Sequence, residues 1–288
     1  MAAGRKRVPY GGGVTALRAP AGSRLLALDI DGTLAPEEGV PPSHIADAVR
    51  EVHAAGVEII LVTGRPLHAV GDVADSLGLD ELWAGCSNGA VLAVCAHGEW
   101  RVVATETFDP RPAVTAVQEA DPAVGLVCEQ PGRGYSLSRP LPSAVGQEPH
   151  LPWTGVPEQT TFAAIASQAI SLDALTDLAR GKGANVMPWH WEGWDVVDLQ
   201  PEHVSKATAV QAIADRRGWG AHQCAAVGDY LNDIDMLRWV GWGVAMGHAP
   251  DEVLAAADAV APSLDDDGIL AVTKAILAVK ELESRQAR

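Results

Sequence analysis

The sequence has few cysteines, no long apolar run and too little positive charge to balance its acids. Its 288 residues contain four cysteines, none of them in a CxxC pair, which excludes a dense disulfide framework. Three of them, Cys86, Cys95 and Cys224, have apolar neighbours in sequence, so we expect reduced, buried thiols and a cytoplasmic protein. No apolar stretch reaches the roughly 18 residues that cross a bilayer, and we therefore expect no membrane partner.

The charge balance limits the partners further. With 21 Lys and Arg against 37 Asp and Glu, the formal net charge is −16, which argues against nucleic acid because that partner needs a basic surface. An acidic protein can still bind an anionic substrate where a metal and a few basic residues share one cleft. Residues 1–22 are rich in Gly, Ala, Arg and Pro, and we predict a poorly ordered tail there. Its Arg5-Lys6-Arg7 run is either a weak contact patch or a solvated end.

Apolar strands alternate with amphipathic helices over residues 23–89 and again over residues 196–288. Short apolar runs that end at Gly, Thr or Asp predict buried strands, and periodic apolar positions between them predict helices. This alternation is typical of an α/β fold with a parallel sheet and helices on both faces. The predicted strands are 25–28, 57–62, 82–86, 223–227, 243–246 and 259–261, and the predicted helices are 43–55, 66–77, 206–218, 231–240, 250–257 and 268–282.

Residues 90–195 interrupt the alternation. Short strand-like pieces are mixed with helices near 112–120 and 172–180, and a proline-rich connection covers 140–157. This mixture predicts an inserted α+β domain rather than a continuation of the parallel sheet.

Polar residues stand where the first three predicted strands end. Asp29 and Asp31 follow the first strand, Thr63 the second and Asn88 the third. Because ligands of parallel sheets bind beyond the carboxyl ends of the strands, we expect one shared site. Two carboxylates so close together are costly unless they share a cation. A calcium loop is excluded because Thr33 stands where that pattern needs another acidic or amide ligand, and a plain turn remains the alternative.

Six short motifs occur in the order found in one enzyme superfamily. They are Asp29-Ile-Asp-Gly-Thr33, Thr63-Gly-Arg65, Asn88-Gly-Ala90, Ser205-Lys206, Gly228-Asp-Tyr-Leu-Asn-Asp233 and Asp267-Gly268. With them the chain, from residue 24 to residue 280, resembles a haloacid dehalogenase (HAD) superfamily phosphatase of the Cof-type group. The resemblance implies a Rossmann-like core with an inserted C2-type cap domain.

The expected reaction is phosphoryl transfer, which needs a nucleophile, neutralising charge and a proton for the leaving oxygen. Asp29 is the predicted nucleophile and Asp31 the predicted general acid and base. Lys206 would hold Asp29 and the phosphoryl group together, and Thr63 would offer its hydroxyl to a phosphate oxygen. The predicted phosphate-binding residues are Thr63, Gly64, Asn88, Lys206 and Asn232.

Mg²⁺ is the predicted cofactor because the candidate ligands are hard oxygens. Asp29, the backbone carbonyl of Asp31 and Asp229 are the predicted ligands. Asn232 and Asp233 lie three and four residues beyond Asp229, so we expect them to form hydrogen bonds with metal-bound water or with Lys206.

Several positions leave two interpretations open. Arg65 could contact the substrate or the cap, or form a structural ion pair. His248 replaces the asparagine usual in the family, and either acts near the site or is a neutral change. Ala207 replaces the usual glycine after the lysine, which weakens the match slightly. In the insert, Trp189, Trp191 and Trp194 could stack on a sugar ring or pack a core. His190 and Glu192 alternate with the tryptophans, so that a polar strand face could line the cleft.

The sequence therefore predicts a Mg²⁺-dependent phosphatase acting on a small phosphorylated metabolite through an aspartyl-phosphate. A sugar phosphate is the first choice of substrate, and a nucleotide or cofactor phosphate is the second. A phosphomutase and a non-catalytic phosphometabolite-binding protein are the alternatives. The expected assembly is a monomer or a small homo-oligomer.

Overall fold

The computed structural model describes residues 17–37, 39–141, 150–191 and 193–286. An eight-stranded sheet forms the centre of the core domain, with its strands, numbered in chain order, arranged as β14-β13-β12-β1-β2-β3-β4-β5. The first six strands in this order are parallel, and β4 and β5 extend the sheet as an antiparallel hairpin. The strands are β1 (Leu25–Leu28), β2 (Glu58–Val62), β3 (Glu81–Cys86), β4 (Val91–Ala96), β5 (Glu99–Thr105), β12 (Cys224–Gly228), β13 (Trp242–Ala245) and β14 (Ala259–Val260).

Helices cover both faces of this sheet, as the alternation predicts. One face packs against α1 (Ser43–Ala54), α2 (Gly71–Leu77) and α8 (Gly268–Gln286). The other face packs against α5 (Lys206–Arg217), α6 (Ile234–Trp239) and α7 (Asp251–Ala256). The central strands β1 and β2 are therefore buried on both sides and can consist almost entirely of apolar residues.

A second sheet, of six strands, is formed by residues that lie in sequence between the two segments of the core. Its order is β10-β11-β9-β6-β7-β8, antiparallel except for the β7–β8 pair. Helices α3 (Arg111–Ala120) and α4 (Leu172–Ala179) pack on one face only. The strands are β6 (Gly125–Gln130), β7 (Gly134–Leu137), β8 (His150–Leu151), β9 (Ala163–Ser167), β10 (Asn185–Trp191) and β11 (Trp194–Gln200). We call residues 111–200 the insert.

The predicted boundaries of the insert, 90 and 195, differ from those in the structure. Residues 91–105 form β4 and β5, which pair with β3 in the core sheet. At the other end, β11 continues to Gln200 in the six-stranded sheet. Both errors have the same cause. An antiparallel strand shows the same alternation of apolar and polar residues in either sheet, and which sheet it joins depends on pairing with strands that are distant in sequence.

The predicted disordered tail is too long. Residues 1–16, which include Arg5-Lys6-Arg7, lie outside the described residues. Ala19, in contrast, is buried against the core, and the backbone N–H of Gly22 donates to Glu283 Oε1 at 2.6 Å. The segment 17–22 is therefore part of the packed fold. Among the described residues, no helix combines the length and apolarity needed to cross a membrane.

Candidate active site

The carboxyl ends of four neighbouring parallel strands carry most of the predicted site residues. Asp29 directly follows β1, Thr63 follows β2, Asn88 follows β3 and Asp229 follows β12. These four side chains belong to residues that are at most 9% exposed. Because β12, β1, β2 and β3 are adjacent in the sheet, the polar residues lie at one edge of the core.

Lys206 connects two carboxylates at this edge. Its Nζ donates to Asp29 Oδ1 and to Asp233 Oδ1, both at 2.7 Å. The three side chains are only 2%, 5% and 0% exposed, in the order lysine, Asp29, Asp233. Ser205 occupies the N-cap of α5, so that the lysine comes from the first turn of a helix whose N-terminus favours anions.

Asp233 and Asp229 are also held in fixed positions. Asp233 Oδ2 accepts the backbone N–H groups of Asp229 and Tyr230, at 3.0 and 2.9 Å. Thr33 Oγ1 donates to Asp229 Oδ1 at 2.6 Å. Thr33, the last residue of the first motif, is therefore a site residue to which the sequence alone assigns no role. Gly32, at φ +77°, lies so close to Asp229 that a Cβ would be 2.4 Å from Oδ2.

The charges of this cluster are unbalanced. Carboxylate oxygens of Asp29, Asp229 and Asp233 lie within 4.8 Å of one another, and Lys206 is the cation that bonds two of them. Burial, followed by the charge of Asp233, raises the pKa of Asp29 well above its usual value, although the lysine opposes the shift. Burial also raises the pKa of Asp229. Three clustered carboxylates offer hard oxygen ligands, and their negative charge exceeds the positive charge of the lysine. This arrangement fits a divalent cation such as Mg²⁺.

Asp31 points to a different partner from Asp29. Arg65 donates to both of its carboxylate oxygens, from Nε at 2.9 Å and from Nη2 at 2.6 Å. Arg65 Nη2 also donates to the carbonyl of Gly39 at 3.1 Å. Of the two interpretations of Arg65, the ion pair is therefore present, and its partner is the predicted general acid and base.

Thr63 and the two asparagines form the side of the site next to β2 and β3. Thr63 Oγ1 accepts the backbone N–H of Arg65 at 3.0 Å, and the Thr63 carbonyl accepts the N–H of Asn88 at 2.9 Å. Asn88 has φ +54°, a left-handed conformation that asparagine tolerates better than most residues. Asn232 Nδ2 donates to Asn88 Oδ1 at 2.8 Å, which joins the end of β3 to the turn after β12.

His248 lies beside the acidic cluster. Its Nε2 is 3.5 Å from Asp229 Oδ2, and its Nδ1 accepts the backbone N–H of Leu264 at 3.3 Å. This acceptor role places the proton of a neutral imidazole on Nε2, toward the carboxylate. Of the two interpretations of His248, the structure therefore places the side chain near the site.

The insert meets the core next to Asn88. Ser87 Oγ donates to Glu129 Oε2 at 2.7 Å, and the Tyr135 ring stands edge-on to His68 with 5.5 Å between centroids. Glu129, the next-to-last residue of β6, is a further residue near the site that the sequence motifs do not single out. Its signal was a charged residue at the end of the apolar run of β6.

The tryptophans and His190 lie on opposite faces of the insert sheet. Trp189 packs with the apolar cluster of Tyr135 and Phe162, and its Nε1 donates to Asp198 at 3.0 Å. Trp191 is 36% exposed. His190 bonds Asp195 at 2.7 Å on the other face, so the predicted polar face of this strand does not share the side that meets the core. Glu192 lies outside the described residues.

Taken together, the fold and the polar edge define a class of α/β proteins with a parallel core sheet and an acidic, lysine-containing site at the carboxyl ends of its central strands. Comparison with known proteins identifies the family. Residues 26–135 and 156–272 match the family of haloacid dehalogenase-like hydrolases. The chain belongs to this family, and the prediction of a HAD superfamily phosphatase is confirmed.

Several phosphatases align with most of the chain. The pyridoxal phosphate phosphatase YbhA of Escherichia coli (strain K12) is 30% identical over 270 residues, which cover 86% of this chain and 96% of the relative. A phosphoglycolate phosphatase of Methanoculleus marisnigri is 26% identical, with coverage of 87% and 95%. The crystal structure of the HAD subclass IIB sugar phosphatase BT4131 superposes with a TM-score of 0.71 at 24% identity, covering 88% and 98% of the two chains, and supports the fold.

Proposed function

We propose that the protein is a Mg²⁺-dependent phosphomonoesterase that acts on a small phosphorylated metabolite through an aspartyl-phosphate. The observation that carries the proposal is the buried contact of Lys206 with Asp29 and Asp233, beside Asp229. A buried lysine between two carboxylates neutralises charge at a fixed point, which a phosphoryl group needs in its transition state.

Asp29 is the proposed nucleophile. Its Oδ1 is held by Lys206, and its second oxygen attacks phosphorus, forming the Oδ2–P bond while the P–O bond to the leaving group breaks. Asp31 gives a proton to the departing oxygen and later removes one from the water that hydrolyses the aspartyl-phosphate. The bidentate contact from Arg65 orients the carboxylate of Asp31 for the second step.

The phosphate oxygens are proposed to bind on the other side of Asp29. Thr63 contributes its hydroxyl, Gly64 allows backbone N–H groups to approach, and Asn88, Asn232 and Lys206 complete the set. Asp29, Asp229 and the Asp31 carbonyl would hold Mg²⁺, with Asp233 and Asn232 behind them. When bound, the ion supplies positive charge to the transferring phosphoryl group.

The insert is proposed to act as a cap that excludes bulk water, because it contacts the core through Ser87 beside the site. Relatives named for pyridoxal phosphate and phosphoglycolate support small substrates, and a sugar phosphate stays the first choice. All four cysteines are free and buried, which agrees with the proposed cytoplasmic location.

The test is phosphate release by metal-stripped protein from p-nitrophenyl phosphate, glucose 6-phosphate and pyridoxal phosphate. We expect turnover only after Mg²⁺ is added, and a loss of at least about 1,000-fold in Asp29→Asn. Asp173→Asn, an exposed carboxylate of α4, is the matched control and should keep the wild-type rate. Isomerised sugar phosphate without free phosphate would indicate a phosphomutase, and no turnover of any ester would contradict an enzymatic role.

A further inference from the structure

One face of the insert sheet is turned toward the core, and no helix of the described residues packs on it. Helices α3 and α4 pack on the opposite face, against Leu126, Cys128, Ile165 and Val197. The register of the sheet places Glu129 opposite Tyr135, and Trp189 opposite Val196, on the uncovered face. Two residues of this face or its rim contact the core directly, Glu129 with Ser87 and Tyr135 with His68.

Glu129 is the unusual residue of this face. It is only 2% exposed, and its Oε2 accepts hydrogen bonds from Ser87 Oγ at 2.7 Å and from Thr161 Oγ1 at 2.8 Å. Its Oε1 is buried as well, but no hydrogen-bond partner for it occurs among the residues that the structure describes. Burial raises the pKa of this carboxyl despite the two donors. A buried acceptor without a donor is costly and therefore needs an explanation.

The strands that surround Glu129 in the insert sheet are acidic. Asp198 lies on the same face of the sheet, where Trp189 Nε1 donates to it, and burial raises its pKa to about 7. None of the six strands, as described, contains Lys or Arg. The uncovered face therefore offers acceptors and negative potential, next to an aromatic surface.

We propose that Glu129 determines specificity for the leaving group, with Oε1 accepting a hydrogen bond from a hydroxyl or N–H donor of the substrate. This inference rests on the proposed phosphatase function. Glu129 is bonded to Ser87, which directly precedes Asn88, a proposed phosphate-binding residue. A leaving group that extends from the phosphate past Asn88 is therefore directed toward the carboxylate of Glu129. Donor-rich neutral or cationic leaving groups fit this face, whereas a carboxylate there meets like charge from Glu129 and Asp198 at a pH at which these two groups are ionised.

The test uses three six-carbon phosphate esters that carry a cationic, a neutral and an anionic group beside the phosphate: glucosamine 6-phosphate, glucose 6-phosphate and the open-chain 6-phosphogluconate. For the wild-type enzyme with Mg²⁺ we expect kcat/KM to fall in that order. A hydrogen bond to a charged group predicts that Glu129→Gln lowers the ratio of kcat/KM for glucosamine 6-phosphate over 6-phosphogluconate by about 10-fold or more. Glu119→Gln removes the same charge from the exposed side of α3 and should leave the ratio unchanged.

The ratio separates specificity from a folding defect, because a smaller folded fraction lowers all three rates equally. An equal ratio in Glu129→Gln and Glu119→Gln, or a wild-type preference for 6-phosphogluconate, would overturn the inference. Turnover of p-nitrophenyl phosphate without turnover of either donor-bearing hexose would also overturn it while leaving the phosphatase function in place. Failure to hydrolyse any of the four esters would overturn the proposed function itself.

Discussion

Replacing Lys206 by methionine should separate the contribution of its charge from that of its volume. The lysine is 2% exposed and bonds two carboxylates at 2.7 Å. Asp233 keeps two backbone N–H donors after the change, whereas Asp29 loses the cation that holds it. Breaking a buried ion pair on one side costs about 3–5 kcal/mol, and we expect a loss of unfolding free energy in that range at pH 8 in metal-free buffer.

The loss should depend on pH in a defined direction. Burial raises the pKa of Asp29 in the folded protein above its value in the unfolded chain. The ionised carboxylate therefore lowers the free energy of unfolding at high pH, and this penalty shrinks as the pH falls and the carboxyl takes up a proton. The cost of Lys206→Met should therefore be smaller at pH 5 than at pH 8. Adding Asp29→Asn to the variant removes the unpaired charge and should recover part of the stability at pH 8.

Urea unfolding followed by tryptophan fluorescence measures both effects. Lys274→Met, at an exposed position of α8, is the matched control and should change the free energy of unfolding by less than about 0.5 kcal/mol. A loss below about 1 kcal/mol for Lys206→Met, or one that is equal at pH 5 and pH 8, would refute the proposed balance of charges.

Three further changes test the arrangement around the cluster. Gly32→Ala should destabilise the protein by more than about 1–3 kcal/mol in thermal unfolding, because a clash with Asp229 adds to the backbone strain. Gly56 has a similar φ but open space around it. An equal loss of stability in Gly56→Ala would show that backbone strain alone explains the effect and that the clash with Asp229 adds nothing. Thr33→Val removes the donor to Asp229 and should weaken the Mg²⁺ activation constant by about 10–100-fold, and an unchanged constant would contradict that contact. Arg65→Lys cannot reproduce the two-point contact with Asp31 and should lower kcat with little change in KM, so an unchanged kcat would argue against orientation by Arg65.

Most of the core and the residues at its edge could be predicted because the information is local. The ends of β1, β2 and β12 are marked by Asp29, Thr63 and Gly228. Parallel topology then places Asp29, Thr63, Asn88 and Asp229 at one edge without knowledge of distant contacts. Helix periodicity likewise predicts which side of α5 packs inward. The pairing of Lys206 with Asp29, 177 positions apart in sequence, rested on the family resemblance.

The insert was harder to predict because its pairing is non-local. Strand β9 pairs with both β6 and β11, and no short motif specifies that register. A one-residue difference in phase decides whether His190 or Trp189 shares the face with Glu129, and the sequence alone left this open. The hairpin of β4 and β5 was assigned to the insert for the same reason.

In the proposed mechanism, Asp29 accepts the phosphoryl group from the substrate. Asp31→Asn removes the proposed base for the second step, so acid quenching of this variant with Mg²⁺ and p-nitrophenyl phosphate should trap the aspartyl-phosphate, and mass spectrometry should locate the phosphoryl group on the peptide that contains Asp29. Asp29→Asn should show no such adduct. A phosphoryl group on another residue, or phosphate release by Asp29→Asn at the wild-type rate, would contradict the account.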